Sequence, residues 1–122
     1  MPSSYSARLR VELMAAGEKS TTWGTTANTN IFNMFDEAIA GVQGITMTDA
    51  NYTLSTANGS SDEARNMVLV ATGTNTASRD ILAPAVEKVY IVANSTTGGF
   101  AIRVLVSGNT AVTINNGDTA LI

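Results

Sequence analysis

The chain contains no cysteine and no histidine. Without cysteine it can form neither disulfides nor thiolate sites, and without histidine it lacks the commonest general base and transition-metal ligand. Charged residues make up 14% of its 122 residues, against roughly 25% in an average globular protein. These absences leave little material for catalysis, so we expect no enzymatic activity, no metal site and no cofactor.

Long apolar runs are missing as well. No segment approaches the roughly 18 residues of a membrane-spanning helix, and Glu12 interrupts the apolar stretch near the N-terminus. We therefore expect neither a membrane span nor a signal peptide, and synthesis in the cytoplasm. The apolar fraction of 44% is that of a folded protein. The length suits one domain, or a compact domain with an attached arm.

Positive charge is sparse and scattered along the sequence. The net charge is −3, and nucleic-acid binding normally needs a clustered positive footprint. The sequence therefore predicts no nucleic-acid partner, and its low charge mildly favours an assembly over a monomer. The seven basic residues are Arg8, Arg10, Lys19, Arg65, Arg79, Lys88 and Arg103.

Residues 1–44 are predicted to form an N-terminal anchoring arm. Alternation over residues 5–13 favours a half-buried strand, with a short helix as the weaker alternative. Residues 17–30, rich in Gly, Thr and Asn, read as an extended loop. Residues 31–42 carry an apolar stripe at helical spacing, which predicts one short amphipathic helix that must pack on something. The stripe comprises Ile31, Phe32, Met34, Phe35, Ala38, Ile39 and Val42.

Trp23 is the sole tryptophan, and it lies in the polar stretch GEKSTTWGTTANTN. Its neighbours are too polar to build a core, and a large aromatic side chain in such a setting usually buries itself against another segment. The sequence favours an anchor that fills a pocket in its own or a neighbouring chain. Stacking on a sugar is the weaker alternative.

Residues 45–122 are predicted to form an antiparallel β-sandwich or barrel-like domain. Short apolar patterns recur every 8–12 residues with Gly, Asn or Pro between them, which is typical of such folds. VYIVAN and FAIRVLVSG, joined by STTGG, are predicted to form a hairpin in which Gly98 and Gly99 supply positive φ. The predicted strands lie near residues 52–56, 67–72, 79–83, 88–94, 100–107, 111–114 and 119–122.

The candidate chemical motifs have simpler interpretations. Gly17-Glu18-Lys19-Ser20 places a glutamate where a phosphate-binding loop needs glycine. Asp62-Glu63 with Arg65 is predicted to be a solvated turn, and Asp36-Glu37 a solvated helix face. Matches to the glycosylation pattern at Asn51, Asn58 and Asn94 are expected by chance in a chain with this composition.

Several strings together resemble the N-terminal region of bacteriophage tail-fibre and related tail or baseplate virion proteins. They begin with SYSARLRVEL, the tryptophan-containing GEKSTTWGTTANTN and IAGVQGITM. The match continues through MTDANYTLSTANGSSDEARNMVLVATG, PAVEKVYIVANSTTGGFAIRV and VTINNGDTALI. The resemblance covers nearly the whole chain, and the combination is more specific than any single string.

The resemblance implies a part that attaches a fibre, usually a homotrimer, to the tail or baseplate. The matching attachment region is residues 8–42, centred on Trp23 and the following helix. Similar proteins commonly continue after the TALI-like strand into further modules, so the chain is expected to be a fragment, the ordered part of a longer fibre, or a short member.

The leading hypothesis is therefore a structural, non-enzymatic virion protein of a tailed bacteriophage, made in the host bacterial cytoplasm and located in the tail. The alternative is a receptor-binding or carbohydrate-binding module whose loops at residues 58–59 and 95–99 contact host glycans. The expected assembly contacts are Arg8, Arg10, Trp23, Ile31, Phe32, Met34, Phe35 and Ile39.

Overall fold

The computed structural model describes residues 4–15, 17, 20–86, 88–106 and 108–122. About 33% of the chain is strand and about 18% is helix, so the fold is mixed α/β with more strand than helix. The elements are, in order, β1 (Ser4–Tyr5), β2 (Glu12–Leu13), α1 (Trp23–Ala27), a π-helical turn (Asn28–Phe32), α2 (Asn33–Ala40), β3 (Val42–Met47), β4 (Tyr52–Thr53), a 3₁₀ turn (Glu63–Arg65), β5 (Val68–Gly73), β6 (Arg79–Leu82), β7 (Ile91–Asn94), β8 (Ile102–Leu105), β9 (Val112–Ile114) and β10 (Thr119–Leu121).

From β3 to β8 the chain alternates between two mixed four-stranded sheets, and β9 and β10 then add one strand to each. The first sheet has the order β10-β7-β5-β3 and the second the order β4-β6-β8-β9. Strands β3, β5 and β7 are parallel, as are β4, β6 and β8, and an antiparallel strand ends each series. The strands predicted after residue 50 are confirmed in position, but β3 was not predicted. The sheets mix parallel and antiparallel strands, so the predicted antiparallel arrangement is wrong. Successive parallel strands of one sheet are connected through a strand of the other, so the chain winds as a coil.

The hydrophobic core draws on both sheets. Residues of β3, β5, β6, β7, β8 and β9 that point inward are buried in one cluster, as the period of two along a strand requires. In the first sheet, Leu69 lies beside Val92 in the register, and neither is exposed to solvent. In the second sheet, Ile81 and Ile102 are equally inaccessible. All four belong to the same core cluster, so the two sheets depend on one core.

The hairpin predicted around STTGG is not formed. β7 belongs to the first sheet and β8 to the second, so the glycines form a corner of the coil. Gly98 and Gly99 do adopt positive φ, of 107° and 84°. A side chain at Gly98 would collide with the carbonyl oxygen of Asn75 in the preceding corner. Glycine is needed there because successive corners of the coil lie in close backbone contact.

The N-terminal arm differs from its predicted form in two places. The single strand predicted over residues 5–13 is instead a hairpin of β1 and β2, which turns back at Arg10 with a φ of 55°. The helical region spans 23–40 and not 31–42, so the loop predicted through residue 30 is wrong from Trp23 onward. The π-helical turn lies in its middle, at Asn28–Phe32.

Arg65 joins the arm to the loop that connects β4 and β5. Its side chain is 1% exposed, and its guanidinium donates to the carbonyl of Leu9 from Nε and Nη2, at 3.0 and 2.7 Å. It also donates to the carbonyl oxygens of Ala57, at 3.0 Å, and of Ser60. The Asp62 carboxylate lies 3.7 Å away. The predicted solvated turn at Asp62-Glu63 is therefore wrong, because Arg65 is buried between two segments.

Polar side chains stabilise the corners of the coil between β3 and β4 and between β5 and β6. Asp49 accepts hydrogen bonds from the Thr76 amide at 2.8 Å and the Thr76 hydroxyl at 2.7 Å. Arg79 pairs with the same carboxylate at 2.8 Å. These interactions lower the pKa of Asp49 from 3.8 to about 2, the Thr76 amide contributing most. One carboxylate thus connects successive corners.

Replacing Arg65 with Met is expected to destabilise the protein by about 3–5 kcal/mol, because buried carbonyls and the Asp62 carboxylate lose their partner. Urea unfolding followed by circular dichroism measures the change. Arg103→Met is the matched control: Arg103 also pairs with an aspartate, Asp80, at 2.7 Å, but its side chain is 48% exposed. Its loss is expected to stay below about 1 kcal/mol. Equal losses in the two variants would contradict the role given to Arg65.

Asp49→Asn is expected to destabilise the protein near neutral pH, and by progressively less as the pH falls. Because the folded-state pKa of Asp49 is lowered to about 2, its contribution is complete above about pH 4 and is lost as the pH falls towards about 2. Urea unfolding of both proteins between about pH 2.5 and 6 measures this difference. A difference that stays constant across that range would contradict the assignment.

Candidate functional site

The helical region carries large apolar side chains that the other described residues leave uncovered. Trp23 is 61% exposed, Phe32 60% and Ile39 70%, and Phe35 is also exposed. Val42, the first residue of β3, follows at 65%. We call these five residues the arm surface. Scattered apolar residues are normal on a protein surface, but such a concentration on one short segment indicates an interaction site.

The opposite side of the helical region packs against the chain itself. Met34 and Ala38 are buried, and the Met34 sulfur lies 2.9 Å from Nη1 of Arg65. Ile31 is half-buried. The predicted apolar stripe is therefore divided between two directions. Met34 holds the helix against Arg65 and the two-sheet part of the chain, whereas Phe32, Phe35 and Ile39 face outward, where a partner can reach them.

The close approach of the helix to the sheet fixes the direction of the arm surface. α2 ends at Ala40, and β3 begins two residues later. The Gly41 amide donates to the Glu37 carbonyl at 2.9 Å. A β-carbon at Gly41 would collide with that carbonyl oxygen and with the side chain of Asn66. A glycine at this corner lets Ile39 and Val42 stand close together on the surface.

An apolar row, half-buried in its middle and exposed at its ends, continues from the arm surface across the first sheet. Val42 lies beside Val68, which lies beside Ile91, which lies beside Leu121. The two ends of this row are 65% and 72% exposed. The second sheet is different, since its outward side carries the Asp80–Arg103 ion pair. The apolar character is therefore concentrated on the helix and first-sheet side of the molecule.

The two arginines predicted as assembly contacts lie in the arm hairpin. Arg8 is exposed and Arg10 half-buried, and Arg10 reaches the Asn58 amide oxygen at 3.5 Å. Both line a cavity of about 20 Å³ together with Arg65 and Lys88. The basic residues looked scattered along the sequence, but folding brings these four to one place. A cavity of that size holds about one water molecule.

Asp62 and Glu63, the adjacent carboxylates in the sequence, accept hydrogen bonds that stabilise the fold. Asp62 accepts from the amides of Arg65 at 2.7 Å and of Ala57 at 2.6 Å, which caps the 3₁₀ turn. Glu63 accepts from the Tyr52 hydroxyl at 2.5 Å, and this contact raises the pKa of Tyr52. Among the described residues, no group of three His, Cys, Asp or Glu could hold a metal ion.

The remaining motifs also have structural roles or lie outside the described residues. Glu37, predicted to lie on a solvated helix face, accepts a hydrogen bond from the Ser61 hydroxyl at 3.1 Å. Asn94, within one of the glycosylation matches, is 1% exposed. Its amide donates to the carbonyls of Phe100 and Ile114, at 3.1 and 3.0 Å. Glu18 and Lys19 of the phosphate-loop-like motif lie outside the described residues.

The loops proposed to contact glycans are engaged within the chain. The Gly59 amide donates to the Arg10 carbonyl at 2.7 Å, and the Tyr5 ring lies where a side chain at Gly59 would project. At the other loop, the Thr97 amide donates to the Gly73 carbonyl at 2.8 Å. The Thr97 hydroxyl lies 2.6 Å from that of Thr74. These contacts give both loops a role in holding the fold together.

Comparisons with family models, curated proteins and solved structures found no match for this chain. Within the described residues, no helix has both the length and the apolar character needed to cross a membrane.

Gly41→Ala and Gly24→Ala are expected to change stability in opposite directions. The first adds a methyl group where backbone and side-chain atoms already lie, which costs about 1–3 kcal/mol. The second adds it inside α1 with nothing within 4 Å, which stabilises the helix by about 0.5–1 kcal/mol. Thermal unfolding followed by circular dichroism tests both. A Gly41→Ala variant as stable as wild type would contradict the close helix–sheet approach.

Proposed function

We propose that this chain is a structural, non-enzymatic protein of a tailed-bacteriophage virion. It forms the proximal, attaching part of a tail fibre and joins the fibre to tail or baseplate proteins. It is made in the host bacterial cytoplasm and functions in the tail. The observation that carries the proposal is the exposed arm surface, which lies within the segment that resembles fibre attachment regions.

The size of the exposed side chains supports an assembly. Burying one Val, Leu, Ile, Phe or Met side chain yields about 1.5–3 kcal/mol, and the arm surface holds five large apolar residues. An association that covered most of them would offset the entropy lost by bringing chains together, which is about 4–15 kcal/mol. Trp23 and Phe32 are each about 60% exposed, and aromatic residues of this kind dominate the energetics of protein interfaces.

A homotrimer is the assembly that we propose. Copies of one chain usually associate with closed symmetry, and three copies around one axis would cover the arm surface of each against its neighbour. Met34, buried beside the Arg65 guanidinium, holds the helical region against the rest of the chain, so each copy presents its arm surface in a fixed orientation. Such preorganisation lowers the entropy cost of association.

The purified chain is expected to have the mass of three copies in light scattering, and Trp23→Ala is expected to shift it towards the monomer. The same variant is expected to fold normally but to be incorporated poorly into phage particles. Truncating a central aromatic residue of an interface typically weakens the binding free energy by about 2 kcal/mol or more. Quantitative immunoblotting of purified particles measures incorporation.

Thr25→Ala is the control for this experiment. Thr25 is an exposed residue of α1, two positions after Trp23, and its replacement is expected to leave both mass and incorporation unchanged. A wild-type chain that stays monomeric would count against the trimer. Normal incorporation of Trp23→Ala would contradict the anchoring role.

A further inference from the structure

A second surface feature lies apart from the arm surface, at the corner where the chain passes from β6 to β7. It is a cavity of about 200 Å³ between the two sheets. Tyr90 and Ile122 border it from the side of the first sheet, and Leu105 and Val112 from the second. Val112 is 41% exposed at the edge strand β9, so the cavity opens to the surface.

The size of the cavity indicates the kind of occupant. Sites for drug-sized ligands usually enclose about 300–1,000 Å³, and this cavity is smaller. A dry protein cavity of about 150 Å³ is large enough to bind benzene. At about 200 Å³, the cavity suits a single large aromatic side chain better than a metabolite or an oligosaccharide.

The polar groups at the cavity suit an indole in particular. Lys88 lines it, with its ammonium held by the Asn66 carbonyl at 3.0 Å and placed 4.3 Å from the centre of the Tyr90 ring. A fixed cation of this kind attracts the face of an aromatic ring, and tryptophan offers the strongest attraction. Asn109 and Thr110 add side-chain oxygens, which can accept the indole N–H that a buried tryptophan needs to satisfy.

The chain carries one tryptophan, and its position fits this role. Trp23 is 61% exposed and is not among the described residues that line the cavity. The aromatic group and the cavity are therefore on different parts of one molecule. Two copies can satisfy both features by a head-to-tail contact, which closes into a ring or continues as a filament.

We infer that Trp23 of one copy inserts into the β6–β7 corner cavity of the next copy. This contact rests on the proposed function, since it specifies how the copies of the trimer meet. It replaces solvent at the indole with Lys88, Tyr90 and the apolar lining. Each copy gives one tryptophan and receives one, so three copies around an axis leave neither feature unpaired.

Mixing two defective variants tests the contact. Trp23→Ala removes the inserted group, and Val112→Arg places a long charged side chain at the cavity mouth. Each alone is expected to raise the dissociation constant of the assembly by about 30-fold or more, the fold-change of a central interface residue. Their equimolar mixture is expected to form a species with the mass of two chains, because the first variant supplies an open cavity and the second supplies Trp23.

Two further variants keep the result interpretable. Thr110→Arg blocks the same cavity from an exposed loop position and replaces Val112→Arg if that variant fails to fold. Thr113→Arg makes the same substitution on the opposite side of β9, where Thr113 is exposed beside Arg103, and is expected to assemble like wild type. A mixture that stays monomeric, or a Thr113→Arg variant that loses assembly equally, overturns the inference.

The fluorescence of Trp23 separates this inference from the proposed function. Assembly of the wild type is expected to shift its emission to shorter wavelength and to reduce quenching by acrylamide relative to the monomeric Val112→Arg variant. A wild-type trimer whose Trp23 stays as accessible as in that monomer overturns the insertion and leaves the trimer standing. A wild type that is monomeric at all concentrations overturns both.

Discussion

The hydrogen bonds of Arg65 determine how the arm stands on the rest of the protein. A guanidinium has five N–H donors and no acceptor, and burying it without partners costs several kcal/mol. Here the acceptors come from two distant stretches of chain, Leu9 in the arm and Ala57 and Ser60 in the β4–β5 loop. The arm and the loop are therefore coupled, because moving either one leaves a buried charge unsatisfied. The orientation of the arm surface follows from this coupling.

The coil explains why one side of the protein stays apolar. A chain that alternates between two sheets buries the inner residues of both, but no further layer covers the outer ones. On the second sheet, the Asp80–Arg103 ion pair makes the outer side polar. On the first, the row from Val42 to Leu121 remains apolar from one edge strand to the other. In a monomer the ends of that row stay in contact with water, whereas an assembly can cover them.

The sequence predicted most strands of the two sheets, but it predicted neither β3 nor the direction in which the strands run. Alternation of inner and outer residues marks a strand in either direction, and turn residues such as Gly98 occur both in hairpins and in coil corners. The start of the helix at Trp23 was missed because its buried residues there, Thr26 and Ala27, give no apolar period. The burial of Arg65 could not be predicted, because its hydrogen-bond acceptors are main-chain carbonyls. One of them belongs to Leu9, 56 residues away, and no pattern of side chains reveals such a contact. The sequence does single out Trp23 by its polar neighbours, and Phe32 and Phe35 by their helical spacing.

A head-to-tail contact between Trp23 and the corner cavity places a strict demand on the fold. The rotation that this contact sets between neighbouring copies must close after three copies, since a rotation that does not close gives an open filament. Trp23 begins the helical region, and that region is fixed at its far end by the close approach at Gly41 and in its middle by Met34 beside Arg65. The cavity is built from the two sheets that share one core. The buried guanidinium contacts the helical region through Met34, so the geometry of the proposed contact depends on it, as does the stability of the monomer.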